Sequence, residues 1–233
     1  MSQYDSEKEA LVRIAQELTR KGFLMATGGN LSMRLPDGKA FLITPSNRDY
    51  LSMVARDICV LGWDLAVKEG DYAPSVESGM HAAIYGKRPD VNAIVHTHQV
   101  YAGALTLIGA SIPALFDEQA RFLGRSVRLI PYAPSGTGIL AATVARGVRG
   151  GDNAFLMKNH GALCFGHDLE RAAHNVEILE KCSLAYLLTL CAEKKADRIP
   201  LVVREIAFAK LRADEKRFTL GAARANEARD GRL

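Results

Sequence analysis

No stretch of the 233-residue chain approaches the roughly 20 unbroken apolar residues that a membrane-spanning helix needs. The start, MSQYDSEKEALVRIAQEL, has no basic opening, apolar middle or small-residue cleavage site, so a secretory leader is not expected and the cytoplasm is the expected location. Charge of one sign is never concentrated. Thirty basic and 26 acidic side chains are interspersed and leave a net +4, which gives no support for nucleic-acid binding but permits a small anionic substrate. CxxC pairs are absent, which removes the cysteine-rich zinc modules, and Cys59, Cys164, Cys182 and Cys191 read as reduced, mostly buried thiols. Internal repeats and low-complexity linkers are also missing. A single domain over 1–233 is therefore expected, with a charged C-terminal helix or tail from about residue 196.

What is present is a regular exchange between two periodicities. Leu11, Ile14, Ala15 and Leu18 fall at helical spacing and predict a helix over 6–22. Residues 30–35 and 40–44 flank the turn Pro36-Asp37-Gly38 and predict a hairpin, and another strand is expected over 57–63. Ser75 is placed as the N-cap of a helix running to Lys87. A buried strand over 92–98 is followed by a helix. A strand at 127–131, a helix at 137–149 and paired strands at 154–158 and 162–165 come next. A long helix over 168–194 carries Leu169, Ala172, Val176, Leu179 and Cys182 on one stripe. Hairpins interspersed with helices predict an α/β chain whose mixed, largely antiparallel sheet is covered by helices.

Chemistry concentrates in three places. His96 and His98 lie two apart on a strand, so both imidazoles face the same side and can converge on one cation. His160 sits at the turn between two apolar strands, with Gly161 permitting a sharp backbone path. Glu77 follows Pro74-Ser75-Val76 and is placed in the first turn of the helix that Ser75 caps, where the dipole favours its ionised form. Three histidines and a nearby carboxylate meet the needs of a catalytic zinc site, which keeps a coordination position open. His81, one helical turn after Glu77, reads as a packed structural histidine, His167 and His174 as surface or helix-face residues, and Trp63 as packing. Gly136-Thr137-Gly138 is too short for a dinucleotide fingerprint and reads as a loop into the next helix.

In this order and spacing the motifs resemble the class II aldolase/adducin family, from about Lys8 to Leu190. They are Thr27-Gly28-Gly29-Asn30-Leu31-Ser32, Ile43-Thr44-Pro45-Ser46, Pro74-Ser75-Val76-Glu77, His81-Ala82-Ala83-Ile84-Tyr85 with Arg88-Pro89-Asp90, Ala93 to His98, Ser111-Ile112-Pro113, Pro131-Tyr132 and Asn159-His160-Gly161. The resemblance is to the family's fuculose-phosphate aldolase branch. It implies a three-layer α/β/α fold and a divalent metal, zinc or alternatively manganese, on His96, His98 and His160. It also implies Glu77 as the catalytic acid/base, and a substrate phosphate cradled by Thr27, Asn30, Ser46, Asn47 and Ser75. The usual assembly is a homotetramer with active sites at subunit interfaces. The reaction implied is cleavage of a small ketose 1-phosphate to dihydroxyacetone phosphate and an aldehyde through a metal-stabilised enediolate. For that work the Glu77 pKa is expected to be raised by a partly desolvated cleft.

The chain departs from the pattern where substrate is chosen. Val76 stands in place of a second phosphate-binding serine, and Asn47 in place of a glycine. The segment Phe116 to Ala120 lacks a proton-donating tyrosine, with Asp117 or Glu118 the candidate substitute acid, and no tyrosine follows Tyr186. Decarboxylase, epimerase and dehydratase chemistry on the same scaffold is the alternative, and a non-catalytic adducin-like interaction module the third reading.

Overall fold

The computed structural model describes residues 3–230. Eight strands form one sheet: β1 (Asn30–Arg34), β2 (Ala40–Ile43), β3 (Cys59–Gly62), β4 (Val67–Glu69), β5 (Ala93–Thr97), β6 (Arg128–Ile130), β7 (Ala154–Met157) and β8 (Gly161–Gly166). Their order is β4-β3-β2-β1-β5-β8-β7-β6. Every neighbouring pair is antiparallel except β6 with β7. The helices are α1 (Asp5–Arg20), α2 (Ser78–Lys87), α3 (Val100–Leu107), α4 (Asp117–Phe122), α5 (Gly138–Gly147), α6 (Leu169–Cys191) and α7 (Leu201–Asp230). The fold is the expected three-layer α/β/α.

Strand alternation builds both cores at once. Leu31, Leu42, Val95, Leu156 and Cys164 enter the core under α1 and α6. Their sequence neighbours Phe41, Ile43, Ile94, Phe155, Leu163 and Phe165 enter the core under α2 and α5. A sheet buried on both faces explains the unbroken apolar runs of β5, β7 and β8. Buried Leu169, Ala172, Val176, Leu179 and Cys182 confirm the stripe on α6, whose N-cap Asp168 accepts a bond from the Arg171 amide at 2.7 Å.

Three local expectations are corrected. Helix α2 starts at Ser78, with Glu77 at its N-cap rather than inside its first turn. The segment before it is tied to the loop after β2: Ser46 N donates to Ala73 O at 2.9 Å and Ser75 N to Thr44 O at 3.2 Å. A tight turn from Ser75 O to Ser78 N then precedes the helix. Strand β4 and helix α4 were not anticipated; both are too short to show a period. His167 is buried rather than superficial, because α7 returns over it. Its Nδ1 lies 2.9 Å from the Glu215 carboxylate, and its ring stacks on Phe218 at 3.7 Å. Arg121–Asp214, Arg125–Glu205 and Arg212–Asp90 pairs fasten the same helix. His174 is exposed, as expected. Among the described residues no helix is long and apolar enough to cross a membrane.

Candidate metal and acid–base site

The period of two places His96 beside Ile94 on the α2 face of β5, and His98 follows just past the strand end. Strand β8 pairs with β5 so that Thr97 faces Ala162, which brings the β7–β8 turn alongside. Asn159 takes the left-handed conformation in that turn, φ 53°, a state asparagine tolerates better than most residues. His160 is thereby carried to the two strand histidines. One ring nitrogen from each lies within 4.8 Å of the others, and the His96 and His98 Nε2 atoms are 3.0 Å apart.

Glycines make this convergence sterically feasible. A Cβ on Gly161 would lie 2.4 Å from Thr97 O, 2.8 Å from His98 Cδ2 and 3.1 Å from His96 Cε1. A Cβ on Gly28 would lie 2.9 Å from His98 Nδ1, and one on Gly29, at φ +83°, 2.6 Å from His96 O. The Thr27-Gly28-Gly29 and His160-Gly161 motifs are thus the walls against which the imidazoles rest.

The donor chemistry fits a divalent cation. His96 Nδ1 donates to Ala162 O at 2.8 Å, so its Nε2 presents a lone pair toward the cluster. Burial lowers the His96 pKa to about 3 and also pushes that of His98 down. An uncharged imidazole with a bare ring nitrogen is the form that ligates zinc, and three such nitrogens leave a further coordination position open.

Glu77 closes the site. Its Oε2 lies 3.2 Å from His96 Nε2 and accepts from Asn30 Nδ2 at 2.9 Å. Its Oε1 lies 3.1 Å from His160 Nε2 and accepts from Ser135 Oγ at 2.7 Å. Burial raises the carboxyl pKa, but His96, His160 and the Asn30 amide outweigh it and hold the group well below the usual carboxylate range. The expected raised pKa is therefore reversed, because the carboxylate that burial desolvates accepts from Asn30 and Ser135 and faces His160. Ser75 Oγ accepts from the Glu77 amide at 3.3 Å.

The remaining expected residues are placed unevenly. Ser46 and Ser75 are neighbours, since Ser46 Oγ donates to Pro74 O at 3.0 Å and Pro45 bridges to Pro74. Asn47 is exposed at φ 53°, a left-handed position in which asparagine substitutes naturally for glycine. Thr27 is exposed beside Gly28, whereas Asn30 is buried with its amide already engaged by Glu77 and His81. Asp117 opens α4, which packs on α6 and α7, and among the described residues it makes no hydrogen bond or ion pair with the histidines or Glu77. Trp63 stacks on Phe41 at 5.4 Å, and Cys59, Cys164 and Cys182 are buried free thiols while Cys191 is exposed. Ser135 lies outside every motif that the sequence singles out. Its only signal is the adjoining Gly136, whose φ of +70° lets the loop pass Val76.

The profile of the Class II Aldolase and Adducin N-terminal domain family matches residues 9–187. A 5-deoxy-D-ribulose 1-phosphate aldolase from Bacillus thuringiensis serovar kurstaki is 33% identical over 183 residues, 78% of this chain and 85% of the relative. An L-fuculose phosphate aldolase from Escherichia coli K12 is 36% identical over 192 residues, 81% of this chain and 85% of the relative. A solved L-fuculose 1-phosphate aldolase superposes with a TM-score of 0.82 at 30% identity, covering 91% of this chain and 98% of its own.

Proposed function

The chain belongs to the class II aldolase and adducin N-terminal domain family, and from that membership we propose that it is a divalent-metal aldolase. It cleaves a small ketose 1-phosphate to dihydroxyacetone phosphate and an aldehyde. The observation that carries this reading is the Glu77 carboxylate at 3.2 and 3.1 Å from two of three convergent imidazoles. A divalent ion, zinc by its preference for such a nitrogen set, supplies Lewis acidity toward a substrate carbonyl and the charge that develops beside it.

The protein groups divide the remaining work. His96, His98 and His160 hold the ion, and the Ala162 carbonyl fixes the tautomer of His96. Glu77 exchanges the proton on the carbon next to the carbonyl, taking it in the direction of synthesis and returning it in cleavage. Its depressed pKa keeps it ionised, and hence a base, at neutral pH. Thr27, Asn30, Ser46, Asn47 and Ser75 face the phosphate, with exposed Asn47 and the joined Ser46 and Ser75 loops as its main cradle. The working form is a homotetramer of single-domain subunits in the cytoplasm, with each cleft completed by a neighbour.

Purified protein offered fuculose 1-phosphate and related ketose 1-phosphates should release dihydroxyacetone phosphate. Glu77→Gln should lower the rate by about 10²–10⁴-fold. No release from any of them, with carbon dioxide formed instead from a hydroxy-keto acid, would replace this reading by the decarboxylase alternative. The absence of tyrosine from Phe116 to Ala120 and after Tyr186 is what favours that alternative, and epimerase or dehydratase chemistry with it. The adducin-like module would require less than one metal per chain and no effect of His96→Ala.

A further inference from the structure

We propose that Ser32, His81 and Asn30 form a buried positioning relay that sets the orientation of the Glu77 carboxylate, with Tyr85 as its far anchor. The inference rests on Glu77 being the acid/base of the proposed reaction. His81, which looks in the sequence like a packed structural histidine, becomes a positioning residue.

The relay arises from a match between two periodicities. Glu77, His81 and Tyr85 are spaced four apart along α2 and its N-cap, a rise of about 6 Å per step. Asn30 and Ser32 are two apart on β1, about 6.6–6.8 Å. The two rows therefore interleave in the order Glu77, Asn30, His81, Ser32, Tyr85. The separations are 2.9, 2.6, 2.6 and 2.8 Å. Asn30, Ser32, His81 and Tyr85 are all 5% exposed or less, so no solvent competes for these bonds.

Donor and acceptor roles along the row are forced. The ionised Glu77 only accepts, so Asn30 turns its amide nitrogen toward it and its carbonyl oxygen toward His81. His81 must then carry its proton on Nε2, and its bare Nδ1 accepts from Ser32. The Ser32 oxygen, having given its proton, accepts from Tyr85. Removing the Ser32 hydroxyl leaves His81 Nδ1 a buried acceptor with its 2.6 Å donor gone. The ring then loses the contact that holds it from its far side, and Asn30 loses the fixed partner that aims its amide nitrogen at Glu77. Ser32 thus acts on Glu77 through two intervening side chains and touches no reacting atom.

The test uses the full-length, metal-loaded protein and the exchange of the C–H next to the carbonyl of dihydroxyacetone phosphate in D₂O. Ser32→Ala should slow exchange by about 10-fold, the worth of one misdirected charged hydrogen bond, with KM changed less than about twofold. Its metal content should stay at the wild-type value. Tyr85→Phe, which spares the Ser32–His81 bond, should change the rate by less than about threefold. Asn30→Ala combined with Ser32→Ala should be no slower than Asn30→Ala alone, because both act through one link. Histidine ¹⁵N NMR of the wild type should show His81 as the neutral Nε2–H form. A wild-type Nδ1–H tautomer, full activity in Ser32→Ala, or additive losses in the double variant would each overturn the relay. The tautomer reading needs no variant to fold. Absence of exchange by the wild type would overturn the role of Glu77 itself, and the relay with it.

Discussion

Gly161→Ala tests the construction of the site with a single methyl group. The added Cβ would stand 2.8 Å from His98 Cδ2, 3.1 Å from His96 Cε1 and 2.4 Å from Thr97 O. Carbon–carbon contacts are comfortable at about 3.5–4.0 Å, so the His98 ring must retreat by about 0.7 Å and the His96 ring by about 0.4 Å. Metal–ligand distances tolerate only about 0.2 Å. The backbone cannot absorb the change, because Gly161 opens β8, which is paired with β7 and β5. Metal affinity should fall by at least the roughly 10–100-fold that follows loss of a ligand's supporting partner. Overpacking should also remove about 1–3 kcal/mol of stability, or some 2–12 °C in Tm for a chain of this size. The assay is metal content after dialysis against a graded chelator, with a thermal melt of the metal-free protein. Gly86→Ala is the control: its Cβ meets nothing within 4 Å and it lies inside α2, so it should leave metal binding alone and stabilise by about 0.5–1 kcal/mol. A Gly161→Ala protein that held its metal as tightly as the control would refute the claim that this glycine seats the histidines.

Replacing Ser135 by Ala removes a 2.7 Å donor to the Glu77 carboxylate, a charged hydrogen bond worth about 1.5–3 kcal/mol, so the rate should fall by at least about 10-fold with metal content unchanged; an unchanged rate would remove Ser135 from the site. His167 loses basicity by burial but gains more from Asp168 and Glu215, and its pKa is raised to about 9. Since the folded value exceeds the unfolded one, near 6.5, its contribution is complete below about pH 6.5 and disappears as pH climbs through about 9. Tm should accordingly decline over that interval, and Glu215→Gln should flatten the decline. Stripping metal with chelator should lower Tm and abolish aldol cleavage together, with added zinc restoring both; cleavage persisting in metal-free protein would contradict the assignment of the three histidines.

Much of the fold could be read in advance from its periods. The apolar alternation of β1 and β2, the stripe on α6 and the placement of His96 and His98 on one strand face all follow from local spacing. The raised Glu77 pKa shows where such reading fails. It depends on what lies opposite the side chain, and the donors around Glu77 leave no local trace. Ser135 escaped notice for the same reason: a loop serine has no period, and its partner is 58 positions away.

The sequence by itself determined the ingredients of the site and the layers of the fold, because spacing of two along a strand and three to four along a helix decides which side chains share a face. It also determined the glycines without which the imidazoles could not approach one another. Tertiary structure alone decided the charge state of Glu77, the tautomer forced on His81 and the burial of His167 under α7. Each is settled by donors and acceptors arriving from other elements, and hydrogen-bond direction is a property of the assembled set rather than of any residue in it.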